Sequence, residues 1–167
     1  MLNCFKKDYR KPSKEHGSHG EGETLKVNWG YIVPHHQGAQ GATTYDKKWS
    51  EYQYGVSVAA LLSIPWDDRN NGGVKSATKR LVAKKVTATW EDHKNAYKYP
   101  TVKAEGAEIL VIKGDELSRH HAELILDAFK ERFPARKIRG VKEMKKGGRG
   151  YNNLLLAKKG GADIALL

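Results

Sequence analysis

The sequence predicts an α/β fold with a twisted, mostly parallel sheet flanked by helices. Segments rich in Val, Ile and aromatic residues, typical of strands, alternate along the chain with segments whose apolar residues recur at helical spacing. This alternation is typical of sheets whose parallel strands are connected by helices. There is no internal repeat, and a length of 167 residues suits one domain with a buried core.

Nine segments, taken along the chain, justify this prediction. Strand composition marks residues 25–33, the start of 63–73, 86–93, 107–113, 135–142 and 162–167. Helical spacing marks 50–63, the basic segment 74–85 and the amphipathic segment 118–133. The last helix is expected to bury Ala122, Ile125, Leu126, Phe129 and Phe133 and to expose His120 and His121 on its solvated face. Residues 1–24 are polar, with lysines and histidines, and predict a flexible arm before a domain over 25–167.

Charge and cysteine content narrow the possible function classes. The chain has 30 Lys and Arg against 19 Asp and Glu, a net charge of +11, which favours polyanions such as nucleic acid, an anionic membrane or an anionic cell wall. The single cysteine, Cys4, excludes an internal disulfide and a zinc site built from cysteines. No apolar run approaches the ~20 residues of a membrane span, and the N-terminus lacks the apolar core of a signal peptide.

Two histidines and a glutamate stand where predicted strands end or helices begin. His35 and His36 follow the first strand in the stretch IVPHHQGAQG, Glu51 lies in the first turn of the next helix, and His93 ends a later strand. Because functional groups collect at the carboxyl edge of parallel sheets, these residues are candidate ligands of a catalytic zinc ion. Their spacing follows no short zinc pattern such as HExxH. Hydrogen-bonded histidines and a helix-stabilising glutamate therefore stay open as alternatives.

Five motifs in a fixed order carry a family resemblance. IVPHHQGAQG, SEYQYG, EDHKNAY, EGAEILV and RGVKEMKKGGRGYNNLLLAKKGGADIALL resemble the zinc-dependent N-acetylmuramoyl-L-alanine amidases of phage endolysins, over about residues 26–167. The resemblance implies a mostly parallel sheet with one zinc ion at its carboxyl edge. It implies three ligands: His35 in a V-G-H-[ST] motif, Glu51 in an N-E-Y-x-Y-N motif and His93 in an I-E-x-H-x-N-A motif. Alignment with a P-G-H pattern would make His36 the first ligand instead.

The resemblance also implies a reaction and a place of action. Zinc would polarise the amide between the lactyl group of muramic acid and L-alanine and activate water for attack, while a carboxylate passes the proton to the leaving amine. Asn95 is expected to hydrogen-bond substrate, and Arg149 to contact an anionic group of peptidoglycan unless it is a plain surface charge. The protein is expected to be made in the bacterial cytoplasm from a phage or prophage gene. It would reach the wall after release through a membrane lesion.

Three departures from the family pattern affect the predicted activity. The family's general base is a glutamate after the last core strand, and this sequence stops inside that strand, so we expect the chain as written to be slow or inactive. Three explanations stay open: the sequence is a truncated fragment, its natural reading frame stops early, or another carboxylate substitutes. The candidate substitute is Glu91, two residues before His93 and on the same strand face. Asp92 and Lys94 replace apolar residues and must reach the sheet edge or mark a degraded site. Gly55 replaces an Asn and is expected to weaken its helix by about 1 kcal/mol relative to Ala.

Two other functions stay open from the sequence. The same fold could hold zinc and wall fragments without cutting them, which the missing carboxylate favours. A nucleic-acid-binding protein is suggested by the net charge and by the segment VKSATKRLVAKK, although no aromatic–basic stacking motif accompanies it. We therefore expect peptidoglycan as the partner and zinc as the cofactor, with no specific nucleic acid and no membrane span.

Overall fold

Strands and helices alternate in the structure, a computed structural model that describes residues 9–10, 24–34, 51–92, 106–148 and 150–167. The strands in these ranges are β1 (Tyr9–Arg10), β2 (Thr24–Leu25), β3 (Trp29–Val33), β4 (Trp66–Asp68), β5 (Ala88–Glu91), β6 (Ala107–Ile112), β7 (Ile138–Met144) and β8 (Ile164–Leu166). The helices are α1 (Glu51–Leu62), α2 (Gly73–Ala83), α3 (Glu116–Arg132) and α4 (Tyr151–Gly160).

The centre of the fold is a four-stranded parallel sheet in the order β4-β3-β5-β8. Ile32 of β3 lies opposite Asp67 of β4 on one side and Glu91 of β5 on the other. A second parallel pair, β6 and β7, is joined to β8 where Leu110 and Leu167 exchange two backbone hydrogen bonds of 2.7 and 3.2 Å. The predicted α/β architecture, a mostly parallel sheet flanked by helices, is confirmed.

Alternate side chains of β3 enter different cores, because successive residues of a strand point to opposite faces. Ile32 belongs to a buried cluster shared with α2 and α4, whereas Tyr31 and Val33 pack against α1 and Trp29 packs in the cluster of α3. Both faces of the strand are therefore covered, as is usual for parallel sheets. Helices α2 and α4 cover one face of the sheet, and helices α1 and α3 cover the other.

Local sequence fixes the helix ends. The carboxylate of Asp115 accepts a hydrogen bond from the backbone N–H of Ser118 and starts α3, as an N-cap residue does. Helix α4 lies between Gly150 (φ 73°) and Gly161 (φ 106°), both in the left-handed conformation that glycine adopts without strain. Helix α2 begins after Gly72, also left-handed at φ 85°.

Two features have no counterpart among the predicted elements. Helix α4 was not predicted, because its sequence YNNLLLAKKG places three leucines in succession and lacks the polar–apolar spacing that marks an amphipathic helix. The predicted strand 25–33 is divided: β3 starts at Trp29, and β2 pairs antiparallel with β1, which falls inside the predicted arm. Residues 1–8 and 11–23 of that arm lie outside the described residues.

Helix α3 is rotated relative to its predicted orientation. Ala122 and Leu126 are buried as predicted, but Phe133 is 48% exposed and lies just beyond the last residue of the helix. The prediction of a solvated His121 is wrong, because this side chain is 7% exposed and packs edge-on against Trp29 with ring centroids 6.1 Å apart. Burial, and then the neighbouring His120, lower the pKa of His121 below its usual value.

Candidate functional site

The parallel strands β3, β4 and β5 end at one edge of the sheet. Val33, the last residue of β3, lies opposite Asp68, the last residue of β4, and Ile32 lies opposite Glu91, the last residue of β5. The carboxyl ends of these strands therefore stand side by side, which is where α/β sheets bind ligands. This edge is the candidate functional site.

Most of the predicted site residues flank this edge in the sequence but lie outside the described residues. This holds for His35, His36, His93 and Asn95. Arg149, which lies between β7 and α4 in the sequence, is also outside the described residues. Glu51 is the first residue of α1, whose backbone is described, whereas the position of its side chain is not. Among the residues that are described, no group of three His, Cys, Asp or Glu side chains could hold a metal ion.

Glu91 is the predicted catalytic residue whose side chain the structure describes. It is 3% exposed, and its Oε1 atom lies 2.6 Å from Nη1 of Arg69. Arg69 follows β4 and donates its backbone N–H to the carbonyl of Val33, so its side chain reaches Glu91 across β3. Because Glu91 is buried and Arg69 is 27% exposed, removing Arg69 would leave the buried carboxylate without its ionic partner, whereas removing Glu91 would leave a guanidinium that reaches solvent. The sequence did not single out Arg69, although its place directly after β4 would have been a signal.

A small pocket adjoins Glu91 on the face of the sheet covered by α2 and α4. Its lining includes the polar side chains of Thr89 and Asn153 and the apolar side chains of Val74 and Leu154. The pocket has room for about one water molecule. Asn153, in the first turn of the helix that the sequence did not predict, is therefore a polar neighbour of the candidate site.

A second arginine–carboxylate pair fixes the loop beside this edge. Arg80 of α2 forms a bidentate contact with Asp67, its Nη2 lying 2.6 Å from Oδ1, and it also donates to the carbonyls of Asp68 and Asn71. Burial by itself would raise the pKa of Asp67. The hydrogen bonds from Arg80 and the Asp68 amide, with the charges of Arg80 and Lys84, outweigh burial and lower this pKa.

Tyr31 of β3 packs against helix α1 and contacts Asp92, the residue before His93. It is fully buried and donates its hydroxyl to Asp92, directly after β5. The Asp92 carboxylate therefore lies at the end of the strand and has a hydrogen-bond donor, whereas Lys94 lies outside the described residues. Gly55 of α1 permits this contact, because a Cβ atom at that position would overlap the ring of Tyr31.

No protein-family model, curated protein or solved structure matches this chain in the three comparisons made. The amidase resemblance therefore stays a prediction that rests on the sequence motifs. In the part of the chain that the structure describes, no helix combines the length and apolar character needed to cross a membrane.

Proposed function

We propose that the chain is a zinc-dependent hydrolase of the N-acetylmuramoyl–L-alanine amide bond of bacterial peptidoglycan. One observation carries the proposal beyond the motifs: β3 and β5 are adjacent parallel strands, and Ile32 lies opposite Glu91. His35 follows Val33 by two residues and His93 follows Glu91 by two residues. Two ligand candidates far apart in sequence thus follow neighbouring strand ends at the edge where such sheets bind ligands.

The donor set suits the proposed metal. Two histidines and one glutamate are a ligand set found in catalytic zinc sites, where a fourth position stays open for water or substrate. His35, Glu51 and His93 would hold the ion, which when bound polarises the scissile carbonyl and lowers the pKa of water. The contact of Tyr31 with Asp92 fixes the chain directly before His93, and Arg69 fixes Glu91 two residues before it.

Zinc content is the first test of this proposal. Zinc per chain is measured by elemental analysis after dialysis for the parent and for His35→Ala, His93→Ala and the control His120→Ala, which changes a histidine on α3. We expect about one zinc in the parent and the control and much less in the other two variants. A parent chain without zinc, or equal zinc in all four proteins, refutes the metal site.

Product analysis tests the bond that is cut. Purified peptidoglycan is incubated with zinc-loaded protein, and the products are separated by mass. An amidase releases stem peptides with a new L-alanine amino end and creates no new reducing sugar ends. New reducing ends without free L-alanine would instead identify a glycosidase.

A second candidate, a zinc-holding peptidoglycan-binding module that does not cut, is favoured by the Arg69–Glu91 pair. Glu91 is the predicted substitute for the general base, and one of its carboxylate oxygens is engaged by a guanidinium 2.6 Å away. The matched control is Glu108, which pairs with Arg139 at 2.6 Å in the β6–β7 sheet. If Glu91 moves the proton, Glu91→Gln lowers the cleavage rate by about 10²–10⁴-fold at unchanged zinc content, and Glu108→Gln does not. Wall binding and zinc content without cleavage in the parent would support the second candidate.

A further inference from the structure

The two faces of the sheet carry helices of opposite charge. Helices α2 and α4 contain five basic and no acidic residues, namely Lys75, Lys79, Arg80, Lys158 and Lys159. Helices α1 and α3 contain five acidic and three basic residues, namely Glu51, Glu116, Glu123, Asp127 and Glu131 against Arg119, Lys130 and Arg132. Among the four helices, the net positive charge therefore lies on α2 and α4.

Three lysines of the basic face are exposed on two helices that pack against each other. Lys75 and Lys79 are one helical turn apart on α2, and both are exposed. Lys159 is exposed on α4, next to Gly160, whose Cα lies against α2 so closely that an added Cβ would be 2.9 Å from the Lys75 carbonyl oxygen. We call Lys75, Lys79 and Lys159 the lysine cluster.

The other two basic residues of this face form ion pairs with described carboxylates, whereas the members of the lysine cluster do not. Arg80 is bound by Asp67, and Nζ of Lys158 lies 2.8 Å from Asp115. No described carboxylate forms an ion pair with a member of the cluster, and neither helix contributes one. Lysines one turn apart repel each other. A surface that keeps like charges together, with no acidic residue interspersed, attracts a polyanion.

We propose that the face formed by α2 and α4 docks a linear, phosphate-bearing polymer of the bacterial cell wall through the lysine cluster. The choice of a wall polymer rests on the function proposed above, whereas the choice of phosphate rests on the surface. Lysine ammonium groups act as point charges that suit phosphate, while base recognition uses arginine forks and stacked aromatic rings. Helix α2 has no aromatic residue, α4 has Tyr151 at its first position and none beside Lys159, and the one arginine of the two helices is held by Asp67.

The basic face is continuous with the candidate site. Val74 in the first turn of α2 and Asn153 in the first turn of α4 both line the pocket beside Glu91. A polymer lying along these helices would hold the wall next to the carboxyl edge of the sheet. Docking of this kind raises the local concentration of the wall at the site without any contact to the scissile bond.

The test measures binding of the full chain to insoluble walls by co-sedimentation, in EDTA and at low temperature so that cleavage plays no part. Walls that keep their phosphate polymer are compared with walls stripped of it by hydrofluoric acid. The variant Lys75→Gln/Lys79→Gln/Lys159→Gln is compared with Lys130→Gln/Arg132→Gln/Lys137→Gln, which removes three exposed basic residues from the end of α3 and the next loop. Both variants change the net charge equally.

We expect the cluster variant to bind intact walls at least about tenfold more weakly than the parent at low salt, with a salt dependence smaller by about two in log–log slope. The control variant is expected to stay within about twofold of the parent, and stripped walls to bind the parent weakly. Equal loss in both variants, or equal binding of the parent to stripped walls, overturns the proposal. Tighter binding of a 20-base-pair DNA duplex than of intact walls, lost in the cluster variant, would make nucleic acid the occupant. Since zinc content and cleavage are measured separately, failure of the amidase assignment is distinguishable from failure of this docking.

Discussion

Replacing Gly55 with alanine should change the stability of the protein in two opposing ways, one through side-chain packing and one through helix propensity. Gly55 is buried in α1, and a Cβ atom there would overlap the ring and hydroxyl of Tyr31. Tyr31 is 0% exposed, and its hydroxyl donates to Asp92. The ring therefore cannot move aside without losing that hydrogen bond or displacing neighbouring core residues.

The two effects have opposite signs, and packing is the larger. Helix propensity alone predicts that alanine stabilises the chain by about 1 kcal/mol. Inserting a methyl group into a well-packed core costs about 1–3 kcal/mol, and losing a hydrogen bond to a charged group costs about 1.5–3 kcal/mol. We expect Gly55→Ala to lower the free energy of unfolding by about 2–4 kcal/mol.

Urea unfolding followed by tryptophan fluorescence measures this change. With a slope of about 2 kcal/mol per molar urea, the midpoint should fall by about 1–2 M. The control variant Ala60→Gly, at an exposed position of the same helix, measures the effect of helix propensity alone and should lower the free energy of unfolding by about 1 kcal/mol. In a Tyr31→Leu background the ring is gone, so Gly55→Ala should become neutral or stabilising. A Gly55→Ala chain with an unchanged or higher midpoint refutes the overlap.

Two further predictions use the same unfolding assay. In Gly160→Ala the new Cβ would lie 2.5 Å from the Cβ of Thr78, where α2 and α4 cross. We therefore expect the free energy of unfolding to fall by about 1–3 kcal/mol. A variant more stable than the parent would contradict this close packing of the two helices. Burial lowers the pKa of His121 below 6.5, so the unfolded chain binds more protons and stability decreases as the pH falls through about 6.5. His121→Leu should reduce this pH dependence between pH 5 and 7, whereas a slope equal to the parent's would assign it to other groups.

The order of most elements was predictable because their local chemistry agrees with their final environment. The segments that became β6 and β8 are short and mostly apolar, and β5 and β8 are largely buried in the sheet. Helix α4 was missed because its leucines are consecutive and its ends depend on left-handed glycines, which sequence spacing does not reveal. The predicted exposure of His121 on α3 was wrong because the sheet that buries this residue is assembled from segments far apart in the sequence.

The candidate site was predictable as an edge of the sheet but not as a set of contacts. Candidate residues could be selected from the sequence by their position at the ends of predicted strands, because the carboxyl ends of parallel strands lie at one edge of the sheet. The pairing of Arg69 with Glu91 requires that β3 lie between β4 and β5, and strand order cannot be deduced from local composition. Likewise, Gly55 has an unfavourable helix propensity in the sequence, whereas in the structure it is the residue that admits the ring of Tyr31.

The same strand order connects the charge of the molecule with its candidate chemistry. Glu91 lies opposite Ile32 and lines a pocket with residues of α2 and α4, so it points to the face that these helices cover, and its charge is balanced from the edge by Arg69 rather than by the lysines. The lysine cluster thus stays available to an external anion, and the pocket beside Glu91 is lined by residues from the first turns of the two basic helices. The proposed wall binding and the proposed amide cleavage can therefore be tested separately by mutation: lysine substitutions should weaken binding without changing zinc content, and ligand substitutions should remove zinc without changing binding.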